Sequence, residues 1–597
     1  MDSRCPGVKV TRTSLHSDRA RTRGPMHGKV SYRAAVCRLL AMLLLAVGLL
    51  PPGVAEAPRP AAGTQSPAAI HIARGTFVFE AGGHDPQGHF LGATEVRDLV
   101  AYQGRLYAGL GQWMDDPTRV GASGPPDPAM PAQVIVLESP DGEWRREVWF
   151  PERGEDGSYL YFAPGELARL EIADGVELLA VGLWRWSGFT TVLIKHPKTG
   201  GWVDTGFGDL FRRFLADREL KDGALAEVRA LYTHTDSVTG TTAVFLGAGV
   251  PTRFGTPGAV DSDVVLDTLP VGPTIWKGVY DAERPGLIRW DTQPEANLNG
   301  TEFPIASRVM AFAATDQGLL SGTSAQIAGV ASGRQSAYVI RRRDGPKPRW
   351  EVLVAPKRLN SIAVRAMRQI PEGEGEGGVL LALEGSGKLL RFVSEQDALH
   401  LEQDMAAWYR TVKRYDARYV LPYQLETYRL SQDAAGPIRF FVGASALTKS
   451  PKKPFPTDPR GIDLFTYEGG YWWRTGSGQW RMGEVVDPDR SPMPRLVATR
   501  AFAPSPFPEE RGKVVYLGFY DCYFFPAHNT ARIMRVPVSE LFPEASSTGV
   551  RAHASESTAA LGPSGAQGNG QVGVTVADPG SERQSATVTD SVGSAGH

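Results

Sequence analysis

The sequence predicts an all-β protein: a seven-bladed β-propeller with two short helical insertions and a disordered C-terminal tail. Three observations predict it. A four-strand pattern repeats. One apolar strand ending near glycine returns in seven copies. Gly (67) and Pro (45) are abundant in 597 residues without a collagen-like period, which favours many turns and short strands.

The four-strand pattern is plainest at the start. "EVRDLVAYQGRLYAGLG" is followed by "AQVIVLESPDGEWRREVWF", and "ELARLEIADGVELLAVGLW" by "TTVLIKHPKTGGWVD". In each, two strands, a loop and a third strand lead through a polar turn to a fourth strand opening on Trp144 or Trp202. The second-strand signal continues as "VFLGAG", "LLSGTS", "LLALEG", "FFVGAS" and "VYLGFY". Its column reads Gly109, Gly182, Gly247, Gly322, Leu383, Gly443 and Gly518, with steps of 73, 65, 75, 61, 60 and 75 residues. Such a repeat of a four-stranded unit is the mark of a propeller. A second strand sandwiched between blades is apolar on both faces, and glycine at its end admits a neighbouring backbone.

The last copy supplies three strands, near 496–503, 513–520 and 530–536. Thr76 to Glu80 alternates and belongs to no other copy, so it is expected to complete that blade and close the ring, leaving no open edge. The helical insertions fall at 208–220, with Leu210, Phe211, Phe214 and Leu215 on one stripe, and at 401–415, with Leu401, Met405, Trp408, Val412 and Tyr415 on one face.

The units resemble propeller repeats of the kelch and Asp-box kinds. As in kelch units, glycine closes strand two and Trp opens strand four. As in Asp-box units, a Ser/Asp/Gly-rich turn precedes a Trp, here Ser139, Asp141, Gly142 and Trp144. The resemblance spans roughly residues 70–540 and implies an architecture rather than an activity.

Outside the repeats, residues 1–57 read as a secretory signal, with Met26 an alternative start. The 12-residue apolar run Leu39 to Leu50 follows Lys29, Arg33 and Arg38 and precedes an A-x-A site at Ala55–Ala57. It is too short to span a bilayer comfortably. The expected product is exported, periplasmic or secreted, with no transmembrane segment after cleavage. Residues 58–69 form a linker and 70–545 the propeller. Residues 546–597 hold no Phe, Trp or Tyr and cannot bury enough apolar area to fold. Cys5 and Cys37 leave with the signal, so Cys522 has no partner for an intramolecular disulfide. The near-neutral charge, −1, carries no footprint for nucleic acid. A monomer is expected.

Connections between strands two and three are long, and long loops on a rigid scaffold are where function concentrates. The expected ligand-binding residues follow: Trp113, Asp115 and Asp116; Trp184, Arg185 and Trp186; Arg253, Asp261 and Asp263; and Asp521, Tyr523 and His528. Aromatic rings beside carboxylates suit a sugar. "HDPQGH" (84–89) and the pair Cys522 and His528 read as turn and packing residues, and no metal site or cofactor is expected. The chain has no H-E-x-x-H, G-x-S-x-G, P-loop or EF-hand motif. The leading reading is therefore a binding protein for a glycan or protein. A glycosidase or lyase using Asp carboxylates on the same face is the alternative, and a non-catalytic envelope scaffold a third.

Overall fold

A computed structural model describes residues 70–111, 131–153, 159–172, 175–185, 190–217, 226–249, 272–299, 302–304, 306, 308–324, 337–371, 377–414, 416–430, 438–449, 466–485, 499–519 and 529–543. The protein is all-β. Among the described residues the strands form sheets of nine, eight, five, four, four and two strands; within them, successive runs of four antiparallel strands are designated units I to VII here. Unit I comprises Glu95–Tyr102, Arg105–Gly111, Gln133–Leu137 and Arg145–Trp149. The first strands of the other units are Tyr161–Glu171, Ala226–Thr235, Arg308–Thr315, Ala363–Gln369, Asp416–Arg429 and Thr499–Pro504.

Unit VII is built from two segments far apart in the chain. Thr76–Glu80 pairs antiparallel with Arg532–Pro537, the place its alternation assigns it. An unforeseen strand, His71–Ala73, runs parallel to Gln479–Val485 and makes unit VI five-stranded. The first strands neighbour each other in cyclic order, with Thr499–Pro504 returning to Glu95–Tyr102.

Local sequence accounts for the hairpins. Tyr102 pairs with Arg105, and the two residues between them, Gln103 and Gly104, have φ of 48° and 73°. Two positive φ angles make the type I′ turn that matches strand twist. The second strands are buried almost throughout, as in Thr242–Ala248 and Val514–Phe519.

The glycine column marks where neighbouring units touch. A Cβ on Gly182 would lie 2.4 Å from Val228 Cγ1 of the next unit, one on Gly247 2.4 Å from Val309, and one on Gly322 2.8 Å from Val364. Gly443 faces the Thr499 backbone, and Gly518 faces Val96 of unit I at 2.5 Å. Each glycine therefore accepts the start of the following inner strand, and the series runs round to its beginning.

The recurrent Trp has a specific partner. Trp350 Nε1 donates to Glu295 Oε2 at 3.0 Å, and Arg342 Nε donates to the same oxygen at 3.0 Å. Trp480 and Arg474 share Glu402 in the same way, at 3.3 and 3.0 Å. Trp202 donates to Glu147 at 3.3 Å, and Lys195 pairs with that carboxylate too. In each case the carboxylate belongs to the preceding unit, so Trp and a third-strand cation tie two units together. Trp144 differs. It precedes its strand, is buried, and meets Phe79 of unit VII edge-on at 6.0 Å.

The two helical insertions fare differently. Phe207–Ala216 is a helix whose buried Phe207, Phe211 and Phe214 surround Trp276 at 5.2–6.3 Å. The second insertion needs correction. Residues 401–404 continue the strand Ala398–Asp404, with Leu401 paired to Leu390 and 56% exposed. Only Met405–Trp408 is α-helical, followed by a π-turn over Tyr409–Lys413. Asp404 sets the boundary by accepting from the Ala407 amide at 2.7 Å, an N-cap bond. Two further short helices, Pro356–Leu359 and Val538–Leu541, were not expected.

Candidate functional site

The site is made by a repeated backbone irregularity. Every first strand slips register against its second strand close to the glycine column, and those of units II and VI slip a second time. In unit I the slip lies between Val96 and Asp98, in unit III between Val228 and Ala230, in unit V between Val364 and Ala366, and in unit VII between Thr499 and Ala501. The residue skipped is arginine each time: Arg97, Arg229, Arg365 and Arg500. Gly165, Met310 and the pair Tyr423–Gln424 are skipped in units II, IV and VI. A bulge leaves its extra residue out of the ladder and re-aims the side chain. All of these residues line one cavity of about 180 Å³.

Five arginines and three carboxyls line this cavity: Arg97, Arg229, Arg365, Arg368 and Arg500, with Asp98, Glu166 and Glu426. Carboxylates just behind the lining hold the arginines. Glu95 pairs with Arg97 at 3.4 Å and with Arg500 at 2.7 Å. Glu227 pairs with Arg229 and with Arg308, each at 2.5 Å. Arg365 reaches Glu384 at 3.0 Å, and the Tyr419 hydroxyl donates to the other oxygen of that carboxylate. Burial would raise the pKa of both Glu227 and Glu384, but their arginines outweigh it and hold them below the ordinary range. The same burial pushes the Arg229 guanidinium well below its usual value, against the pull of Glu227.

The lining carboxyls behave oppositely. Burial pushes Asp98 up to about 6, although Arg97 and Arg500 lean against it. Burial and then the neighbouring Asp98 raise Glu166 well above a normal glutamate. Burial also raises Glu426, which pairs with Arg368. Asp98 Oδ2 accepts the Leu167 amide at 3.1 Å, and Arg97 Nη2 donates to the Gly165 carbonyl at 3.3 Å. Asp98 and Glu166 thus form an adjoining pair of carboxyls, both raised by burial, with Glu166 raised further by the Asp98 charge; neighbouring carboxyls perturbed in this way are a recurrent source of catalytic acid and base.

Most residues expected to bind ligand lie outside those described: Trp113, Asp115, Asp116, Trp186, Arg253, Asp261, Asp263, Asp521, Tyr523 and His528, as does Cys522. Trp184 and Arg185 close the strand Glu177–Arg185 rather than standing in the loop beyond it. Trp184 is only 2% exposed. Arg229, Arg97 and Arg308 stand over its ring at 4.2, 5.2 and 5.6 Å. Its role here is to carry guanidiniums by cation–π contact, not to offer a bare aromatic face. Asp85 of "HDPQGH" organises a turn, accepting from the amides of Gln87, His89 and Arg146 at 2.7–3.0 Å.

The sequence reading missed the inner-strand arginines, though they leave a signal. "EVRD", "EVRA", "AVRA" and "ATRA" recur at the starts of units I, III, V and VII. Arg229, Arg365 and Arg500 each stand 18 residues before the glycine-column position of their own unit.

No known protein family matches the sequence, and no curated protein does. Among solved structures, similarity extends to Trypanosoma rangeli sialidase in complex with sialic acid, at 9% identity and a TM-score of 0.32, covering 81% of this chain and 61% of that one. It extends also to a putative glycoside hydrolase from Bacteroides ovatus (8%, TM-score 0.24, covering 82% of this chain and 98% of that one). A third is a GH43 β-xylosidase/α-arabinofuranosidase from a compost microbial metagenome (12%, TM-score 0.25, covering 62% and 98%). The chain spans about three fifths of the length of the sialidase structures it matches. These likenesses are remote, and the functional reading is taken from the cavity itself.

Proposed function

We propose that the seven units are the blades of a β-propeller exported through residues 1–57, and that its central cavity hydrolyses glycosidic bonds. The observation that carries this is the division of labour between Asp98 and Glu166. Glycoside hydrolysis needs a protonated carboxyl to deliver a proton to the leaving oxygen, and an ionised one to activate water or attack the sugar. Glu166, raised well above the normal range, is the acid. Asp98, at about 6, is ionised at neutral pH and is the base or nucleophile. A pure binding protein has no need of two adjoining carboxyls that burial raises toward the working pH, so the cavity favours the hydrolase over the binding module.

The test is release of new reducing ends from a panel of oligosaccharides at pH 7 by the full chain, by Glu166→Gln and by Asp98→Asn. The reading expects release by the wild type and roughly 100-fold or greater loss in each variant, the range of general acid–base catalysis. No release from any sugar, or full activity in both variants, rules it out.

A further inference from the structure

The hydrolase reading leaves the arginines unexplained. Proton transfer requires two carboxyls, yet five arginines line this cavity. Burying a charge is costly unless it is paired, and these arginines are paired: Glu95 serves both Arg97 and Arg500, Glu227 serves Arg229, Glu384 serves Arg365 and Glu426 serves Arg368.

The arginines are also presented for a ligand rather than merely neutralised. Four of the five, Arg97, Arg229, Arg365 and Arg500, come from a bulge at the same place in alternate units. Each is braced from behind: Arg229 meets Glu227 through Nε, and Arg365 meets Glu384 through Nη1. A guanidinium has five N–H donors in a rigid fork, so a carboxylate engaging one donor fixes the fork and leaves donors for a second anion. Trp184, beneath Arg97, Arg229 and Arg308, fixes the planes of the forks further. A planar, rigid, doubly donating group suits a carboxylate, which it grips with two parallel bonds.

We propose that the arginines at the inner-strand bulges bind the carboxylate of an acidic sugar, so that the substrate is a carboxylated glycan. Substrate cleavage in this scheme rests on the hydrolase reading, but recognition of the anion does not. The sugar's carboxylate sits among Arg97, Arg229 and Arg365, and its glycosidic oxygen is turned toward Asp98 and Glu166.

The experiment uses carboxylated oligosaccharides, among them oligogalacturonate, hyaluronan fragments and oligosialic acid. Each is compared with its carboxyl-reduced form, in which –COO⁻ has become –CH₂OH, and with a dextran sulfate oligomer. Binding by calorimetry and release of reducing ends are read in parallel on the full chain. The expected result is binding of at least one carboxylated sugar, weakened about 10- to 100-fold by carboxyl reduction, the loss typical of a charged hydrogen bond. Arg229→Gln and Arg365→Gln should weaken the carboxylated sugar similarly. Arg343→Gln, the same charge change on an exposed residue, should not. Because the reduced-sugar comparison needs only wild-type protein, it stands even if an arginine variant fails to fold. Binding of the carboxylated sugar without cleavage upholds anion recognition and sinks the hydrolase. Cleavage of native and reduced forms alike upholds the hydrolase and overturns the carboxylate proposal. Preference for dextran sulfate, or binding of none of the sugars, also overturns it.

Discussion

Glu227 is clasped between Arg229 of its own strand and Arg308 of the next unit, 2.5 Å from each. One carboxylate thereby fixes two guanidiniums and joins units III and IV. Glu95 repeats the arrangement between Arg97 and Arg500, where unit VII meets unit I. Removing one partner of a buried ion pair leaves the other charge uncompensated, which costs about 3–5 kcal/mol. Glu227→Gln should lower unfolding stability by about that much in denaturant titration. A loss below about 1 kcal/mol would show that water already solvates these arginines.

The glycine column makes a sharper steric prediction. Gly247→Ala would place Cβ within 2.4–2.5 Å of Val309, and overpacking of this kind costs about 1–3 kcal/mol. Gly83 has nothing within 4 Å of the same added atom, so Gly83→Ala should be close to neutral. Adding Val309→Ala to Gly247→Ala should recover part of the loss. Simple additivity of the two changes would place the strain elsewhere.

Trp350→Phe keeps a ring but removes the donor to Glu295. A hydrogen bond to a charged group contributes about 1.5–3 kcal/mol, so the melting temperature should fall while sugar binding persists. Loss of binding at an undiminished melting temperature would make the Trp a ligand contact instead of a tie between units.

The Asp98–Glu166 pair predicts a bell-shaped pH profile. Activity rises as Asp98 ionises, through about pH 6, and falls at higher pH as Glu166 gives up its proton. Asp98 has an effect on stability too. Its folded-state pKa is raised, so the folded protein favours the protonated form. That contribution is fully present below about pH 4 and is lost as pH rises through about 6, on the order of 3 kcal/mol in all. In Asp98→Asn the stability difference between pH 4 and pH 7 should shrink accordingly. An unchanged pH dependence of stability would mean that Asp98 titrates normally.

The all-β class and the repeated strand pattern were legible because their signals are local and repeated. Gly182, Gly247 and Gly518 must be glycine to admit the next unit, and Trp202, Trp350 and Trp480 each need the same partner, so both sets leave columns in the sequence. The strand Thr76–Glu80 was legible from its alternation. The second helix was not, because Leu401 and Met405 satisfy a helical period while the pairing of Leu401 with Leu390 makes residues 401–404 a strand. The cavity was missed for a related reason. A charged residue early in an apolar strand reads as its solvent-facing side, and only the bulge turns Arg97, Arg229, Arg365 and Arg500 inward. Asp98 and Glu166 look ordinary in sequence, and only burial against neighbouring units gives them unusual protonation.

The most direct test of the central claim is a crystal structure of the Glu166→Gln protein with a carboxylated oligosaccharide that the wild type binds. The account predicts a terminal sugar in the cavity, its carboxylate within hydrogen-bonding distance of at least two of Arg97, Arg229 and Arg365, and its glycosidic oxygen facing residue 166 and Asp98. A sugar bound only by residues within 112–130, 250–271 or 520–528, with no density in the cavity, would contradict it.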